Sequence, residues 1–231
     1  IRAPAANSDQ IAAVYPPEAV PGLKLASVSP VSAILMAGQA APTAPEYLAA
    51  SEEVQITDEI RQLAASLDNH PVEIFNWVYS NVEFIPSYGS IQGSALTLKT
   101  RQGNAMDTAS LLIALLRAAQ IPARYAHGTV EVPIEQLMNW LGGLPSAQVA
   151  LDVMAQGGVP IRGLSQGGVI RVARFEHTWV EAYVDFTPSR GARNLAPDSW
   201  ADLDASFKQH GFIEGMDLTQ RPLTLPTEAF N

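Results

Sequence analysis

Cysteine is absent from all 231 residues of the chain. Without thiols the protein can build neither a disulfide framework nor a thiolate zinc site, so its redox compartment cannot be inferred from cysteine pairing. The same absence removes the most nucleophilic side chain that covalent catalysis uses.

Basic residues and long apolar runs are also scarce. The 14 Lys and Arg stand against 23 Asp and Glu, which gives a formal net charge of −9. No basic stripe could neutralise successive phosphates, so we expect no nucleic-acid binding. The most apolar short run, Val31 to Met36, is too short to span a bilayer, so we expect no membrane span. The chain opens on Ile1 without a signal peptide, and we expect it to be a processed piece of a longer protein with other domains.

The chain divides by composition near residue 50. Residues 1–50 are rich in Ala and contain seven prolines, which predicts an extension or linker without long regular elements. Residues 51–231 have the length of one catalytic-sized domain.

Three helices are predicted in the first half of that domain. Thr57 is placed to cap the first, whose apolar residues recur at helical spacing, and Pro71 suits the first turn of the second. A loop is predicted over residues 84–103. The third helix, Asn104 to Ala119, has Asn104 as its cap and is so apolar that it should be buried at the centre of the domain.

The segment after a strand at Ala123 to Val132 is interpreted as an insertion over residues 133–168. It contains two short amphipathic helices, Pro133 to Leu141 and Pro145 to Gln156, followed by a glycine-punctuated loop from Gly157 to Gly168. This composition is typical of a movable cover, so we expect the insertion to lie over one side of a cleft.

Two later strands carry the polar residues of interest. Alternation places His177, Trp179, Glu181 and Tyr183 on one face of the first strand. In the second strand, Trp200, Asp202 and Asp204 share a face. A nucleophile at a helix start, an imidazole and a carboxylate, in that order along the chain, are the components of nucleophilic acyl transfer.

Three ordered motifs resemble the transglutaminase-like superfamily. Gly103 to Asp107, followed by Ile121 to Tyr125, resembles its nucleophile helix and the segment after that helix. Glu176 to Tyr183 resembles its histidine strand, and Trp200 to Ser206 its aspartate strand. The resemblance covers roughly residues 55 to 210 and extends to domains of large bacterial surface or secreted proteins, so it implies a secreted, cell-surface or periplasmic location.

The resemblance implies a role for three positions. Residue 105 would be the nucleophile, His177 the general base and acid, and Asp204 the carboxylate that orients the imidazole. Ala105 departs from the family pattern, because a methyl group cannot form an acyl-enzyme. Two interpretations remain open: an engineered replacement of cysteine, or a native alanine in a domain that binds without cutting.

Further residues are candidates for supporting roles. Asp202 shares a strand face with Asp204 and could also reach the imidazole, although the resemblance favours Asp204. The backbone N–H of residue 105 is a candidate oxyanion donor. Candidates for side-chain oxyanion donors or for the cleft wall are Gln92, Gln102, Asn104 and Trp179.

Metal and cofactor chemistry is not expected. The four histidines are not spaced as a zinc site requires, and the paired glycines lack the Lys-Ser/Thr of a phosphate cradle. We therefore predict an α+β, papain-like fold with a central buried helix packed on an antiparallel sheet. The expected reaction is thiol acyl transfer on protein or peptide amide or glutamine groups, with a catalytically inactive peptide-binding or structural module as the alternative.

Overall fold

The computed structural model describes residues 44–187, 189–191 and 194–211. Most of the predicted extension at 1–50 and the end of the predicted domain therefore lie outside the described residues. The helices are α1 (Asp58–Ser66), α2 (Pro71–Asn81), α3 (Gly93–Thr100), α4 (Ala105–Ala118), α5 (Ile134–Trp140) and α6 (Ala147–Gln156), besides a 3-10 turn at Pro45–Tyr47. The strands are β1 (Glu83–Phe84), β2 (Gln102–Gly103), β3 (Ala123–Pro133), β4 (Ile161–Gln166), β5 (Val169–Val184) and β6 (Ser199–Leu203).

The first two helices begin where local sequence signals place them. The Thr57 side chain accepts a hydrogen bond from the backbone N–H of Ile60, which satisfies one unpaired donor of the first turn of α1. Pro71 is the first residue of α2, where its missing N–H costs nothing. Both predicted starts are confirmed.

Helix α4 is the centre of the molecule. The Asn104 side chain accepts a hydrogen bond from the N–H of Asp107 at 2.8 Å, so the predicted cap is confirmed. Residues 111–116 are completely buried, because α1, α2 and α3 pack on one side of α4 and β3 and β5 on the other. The prediction of a central buried helix is therefore correct.

The main sheet is antiparallel and is organised around the long strand β5. Strand β3 pairs along one edge of β5. On the other edge, β4 pairs as far as Phe175 and β6 pairs only from Val180 onward. Residues 176–179 of β5 therefore lie in a gap between β4 and β6. The Glu176 N–H still donates to the Pro160 carbonyl at 3.2 Å, whereas residues 177–179 have no strand partner on that edge among the described residues.

Two predicted loops contain regular structure. The loop predicted at 84–103 includes helix α3, and the loop predicted at Gly157 to Gly168 includes strand β4. Helix α3 is short and opens with Gly93 at φ +66°, so its local signal is weak. A Cβ at Gly163, inside β4, would lie only 2.8 Å from the Leu151 side chain. Glycine is therefore required here by close packing and does not indicate a loop.

The segment predicted as an insertion contributes to a second apolar cluster. Leu137, Trp140 and Met154 from α5 and α6 are buried against Ala173 and Phe175 of β5. The first cluster surrounds α4. Among the described residues, no helix is long and apolar enough to cross a membrane.

Candidate active site

His177 and Asp204 form a hydrogen-bonded pair at the gap in the sheet. His177 lies in the open stretch of β5, and Asp204 follows the last residue of β6. The imidazole Nε2 and the carboxylate Oδ2 are 2.7 Å apart, and His177 is 7% exposed. The expected contact between these two side chains is confirmed.

The Asp204 carboxylate is fixed by the turn that follows it. Its Oδ1 accepts hydrogen bonds from the Ser206 N–H at 2.9 Å, the Ser206 hydroxyl at 2.7 Å and the Phe207 N–H at 3.2 Å. Burial alone would raise the pKa of Asp204, but the facing charge of His177 and the hydrogen bonds from His177 and Ser206 outweigh it and hold the pKa below its usual value. Asp204 is therefore ionised and aimed at the imidazole.

Asp202, the other carboxylate considered for this role, has a different partner. Its Oδ1 accepts a hydrogen bond from Trp179 Nε1 at 2.8 Å, and its pKa is raised, chiefly by burial. In the strand register Asp202 lies opposite Glu181. Asp202 thus contacts the β5 side chain two positions before the residue opposite it. Asp204, two residues further along the chain, contacts His177, two positions before Trp179.

A cavity of about 250 Å³ separates His177 from the start of α4. Ala105 and Met106 border it on the helix side. The N–H groups of the first turn of a helix have no intrahelical acceptor, and Asn104 caps only that of Asp107. Within the described part of the chain, Nδ1 of His177 carries no hydrogen bond. The cavity is therefore bordered both by the imidazole of His177 and by a helix N-terminus with unpaired donors.

Aromatic rings fix the orientation of the imidazole. Trp140 and Phe175 meet it edge to face with ring centres 5.7 and 5.8 Å away, and Trp179 lies nearly parallel at 6.5 Å. Trp140 is itself held by a 2.7 Å hydrogen bond from Nε1 to the Ser206 carbonyl. Because Trp140 and Met154 border the cavity, the predicted insertion lies over one side of it.

Part of the cavity wall is formed by a loop that we call the rim loop, residues 85–92, of which residues 87–90 border the cavity. The Asn104 amide donates to the Gly89 carbonyl at 2.7 Å and to the Ser87 hydroxyl at 3.3 Å. One carboxylate oxygen of Asp107 accepts three backbone N–H groups, those of residues 91, 92 and 93, at 3.1, 2.9 and 3.2 Å. The cap residue of α4 and one residue of its first turn therefore hold the loop in place.

Not every predicted site residue reaches the cavity. The Gln92 amide donates to the Gln102 carbonyl at 3.2 Å, and the Gln102 amide donates to Glu83 at 3.3 Å. The Asn104 side chain is used for the cap and the rim loop. Trp179 contacts the imidazole but does not border the cavity. None of these four side chains is placed as an oxyanion donor.

Several residues at or beside the cavity were not predicted from the sequence to belong to the site. Trp140 stands in a predicted short helix, and the sequence shows no signal that connects it with His177. Asp107, which holds residues 91–93 beside the cavity, stands in the first turn of α4, and that position indicates no more than a favourable interaction with the helix dipole. His127, Glu176 and Thr178 border the cavity as well, although alternation along β3 and β5 would have shown that they share a face. Within the described ranges, no three His, Cys, Asp or Glu side chains cluster as a metal site would require.

A family model described as "Transglutaminase-like superfamily" matches residues 54–205. The chain belongs to the transglutaminase-like superfamily. The match spans Ala105, His177 and Asp204 and confirms the family and the α+β fold class predicted from the sequence.

No curated protein matches the chain. One solved structure that is similar is described as "a Putative Cysteine Protease from Cytophaga hutchinsonii", with 22% identity and a TM-score of 0.42. The alignment covers 72% of this chain and 43% of that one, so the chain spans less than half the length of that structure.

Proposed function

We propose that this transglutaminase-like domain carries the site of a thiol acyl transfer on protein or peptide amides, with residue 105 at the nucleophile position. His177 is the base and Asp204 the carboxylate that orients it. The observation that carries the proposal is the 2.7 Å His177–Asp204 pair, whose imidazole borders the same cavity as Ala105 and Met106 at the start of α4.

With cysteine at position 105, the residues of the cavity account for each proton in the reaction. The thiol proton moves to Nδ1 of His177, and the thiolate attacks the amide carbonyl carbon. The N–H groups of the first turn of α4 stabilise the resulting oxyanion. The leaving amine takes the proton from the imidazolium, which leaves a thioester that water hydrolyses or another amine captures. Asp204 keeps Nε2 protonated throughout.

With alanine at position 105, the chain has no atom that can form this thioester. A second function, the non-covalent binding of a peptide, is favoured by that residue itself, because the cavity and the His177–Asp204 pair remain while the nucleophile does not. In this form the domain holds a peptide without cleaving it.

The variant Ala105→Cys separates the two functions. A thiol at a helix N-terminus beside His177 should have a pKa well below the ordinary value of about 8.5. We expect iodoacetamide to alkylate Ala105→Cys at about pH 6 on the order of 100 times faster than Ala105→Cys, His177→Ala. Ala118→Cys is the matched control, because it places a thiol at the opposite end of α4, where the dipole disfavours thiolate.

Equal alkylation rates with and without His177 would show that the imidazole does not activate position 105. Peptide binding would then be the better assignment. If the thiol is activated, incubation of Ala105→Cys with glutamine-containing and other peptides should give a thioester detectable by intact mass, whereas the chain with Ala105 should give none.

A further inference from the structure

A second imidazole borders the same cavity and is paired in a different way. Nδ1 of His127 lies 3.0 Å from the Thr178 hydroxyl oxygen, and its Nε2 lies 3.2 Å from a carboxylate oxygen of Glu176. His127 stands on β3 directly opposite Thr178 of β5. The three side chains therefore form a hydroxyl–imidazole–carboxylate series across two neighbouring strands.

The carboxylate end of this series is held independently. The hydroxyl of Thr129 donates to the other oxygen of Glu176 at 2.5 Å, and in the strand register Thr129 lies opposite Glu176. An ionised Glu176 can only accept hydrogen bonds, so Nε2 of a neutral His127 carries the proton and Nδ1 is left as an acceptor. That tautomer directs the lone pair of Nδ1 at the Thr178 hydroxyl, the arrangement that a general base requires.

The hydroxyl also has access to a reacting group. Thr178 is 8% exposed and borders the cavity together with Ala105 and Met106, whose helix N-terminus supplies N–H donors. The His177–Asp204 pair shares none of its hydrogen bonds with this series. We propose that Thr178, with His127 as base and Glu176 as orienting carboxylate, accepts acyl groups from small activated esters.

The step balances without another reactant. The Thr178 Oγ–H proton moves to Nδ1 of His127 as Oγ bonds to the ester carbonyl carbon, and collapse of the tetrahedral intermediate breaks the bond to the ester oxygen. The departing alcohol takes the proton from the imidazolium. Water then attacks the acyl-threonine with His127 again as base, releasing the carboxylic acid and restoring the hydroxyl.

The surroundings define the class of substrate. A cavity of about 250 Å³ suits a short acyl chain. The His127 side chain is 50% exposed, so water competes for the proton of the imidazolium, and its transfer to a leaving group that needs full protonation is inefficient. Esters with good leaving groups need little protonation as they depart, whereas amides need it fully.

The unmodified chain is suited to the test, because without cysteine any acyl-enzyme must form on oxygen or nitrogen. Stopped-flow measurement with p-nitrophenyl acetate should show a burst of p-nitrophenolate. Acid quenching followed by peptide mapping should locate one acetyl group on Thr178. Thr178→Val keeps the shape and removes the hydroxyl, and Thr178→Ser retains a hydroxyl at the same position.

The burst rate should fall at least about 100-fold in Thr178→Val and in His127→Ala, and should persist in Thr178→Ser. It should also persist in His210→Ala, because that imidazole is exposed and does not border the cavity. Thermal unfolding of each variant checks that it is folded. No acetyl group on Thr178 in the unmodified chain, an acetyl group only on lysine or histidine, or an undiminished burst in folded Thr178→Val would overturn the proposal. None of these outcomes depends on chemistry at residue 105.

Discussion

Asp107 offers a direct test of how the cavity wall is held. This side chain is 1% exposed, and one of its oxygens accepts the N–H groups of residues 91–93 at 2.9–3.2 Å. Asp107→Ala removes the acceptor and leaves three backbone donors at the end of the rim loop without a partner. Asp107→Asn keeps a carbonyl oxygen in place but removes the charge.

The structure sets the size of the effect. Hydrogen bonds to a charged group contribute about 1.5–3 kcal/mol each, but three donors that share one oxygen are not additive. We therefore expect Asp107→Ala to lower the free energy of unfolding by about 3–5 kcal/mol. Asp107→Asn should cost about 1–2 kcal/mol, because neutral hydrogen bonds replace charged ones. Asp58, also in the first turn of a helix but exposed, is the control, with an expected cost of about 0.3–1 kcal/mol for Asp58→Ala.

Urea unfolding followed by circular dichroism gives the three free energies, and amide hydrogen exchange reports on the rim loop itself. The amides of Ile91, Gln92 and Gly93 should exchange faster in Asp107→Ala at a denaturant concentration where the fold is intact. A loss of less than about 1 kcal/mol, comparable with Asp58→Ala, would refute the reasoning. Unchanged exchange of these three amides would do the same.

Three further predictions concern pH and packing. The lowered pKa of Asp204 contributes stability that is present above about pH 4 and is lost as the pH falls through the folded-state value, so Asp204→Asn should flatten the acid side of a plot of Tm against pH. Burial lowers the pKa of Lys208 to about 8, so the unfolded chain binds the ammonium proton of Lys208 more tightly than the folded chain does. The free energy of unfolding should therefore rise from about pH 8 to pH 10, and Lys208→Met should abolish that rise. A Cβ on Gly157 would lie 1.9 Å from the Pro86 carbonyl oxygen, so Gly157→Ala should cost about 1–3 kcal/mol in urea unfolding, whereas Gly128→Ala, with its nearest contact at 3.4 Å, should not destabilise.

Local sequence signals correctly predicted the helices that begin at a capping residue or at a proline. Thr57, Pro71 and Asn104 are caps or first-turn residues, and each acts within three or four residues of its own position. Such short-range preferences can be seen in the sequence. The burial of α4 was also predictable, because it is apolar on every face.

The elements that were missed depend on distant partners. Helix α3 begins where Asp107, fourteen residues away, accepts the N–H of Gly93. Strand β4 forms because β5 pairs with it, and Gly163 made its segment resemble a loop in the sequence. The contact of Trp140 with His177 spans 37 positions in the chain. Alternation along a single strand cannot show that Asp202 and Asp204 bind different partners. In each of these cases the structure depends on contacts between residues far apart in the chain and not on local propensity.

The site lies where two apolar clusters meet, and this position explains why its parts come from elements so far apart. Ala105 begins the helix at the centre of the first cluster, whereas Trp140 and Phe175 of the second cluster hold the ring of His177. A rearrangement of either cluster would therefore move the imidazole relative to residue 105 without altering either residue. The rim loop connects the two sides, because Asn104 binds the Gly89 carbonyl and the Tyr88 N–H donates to the Gly157 carbonyl at 3.0 Å. The hydrogen bonds of this loop consequently contribute to the alignment of the site as well as to the stability of the fold.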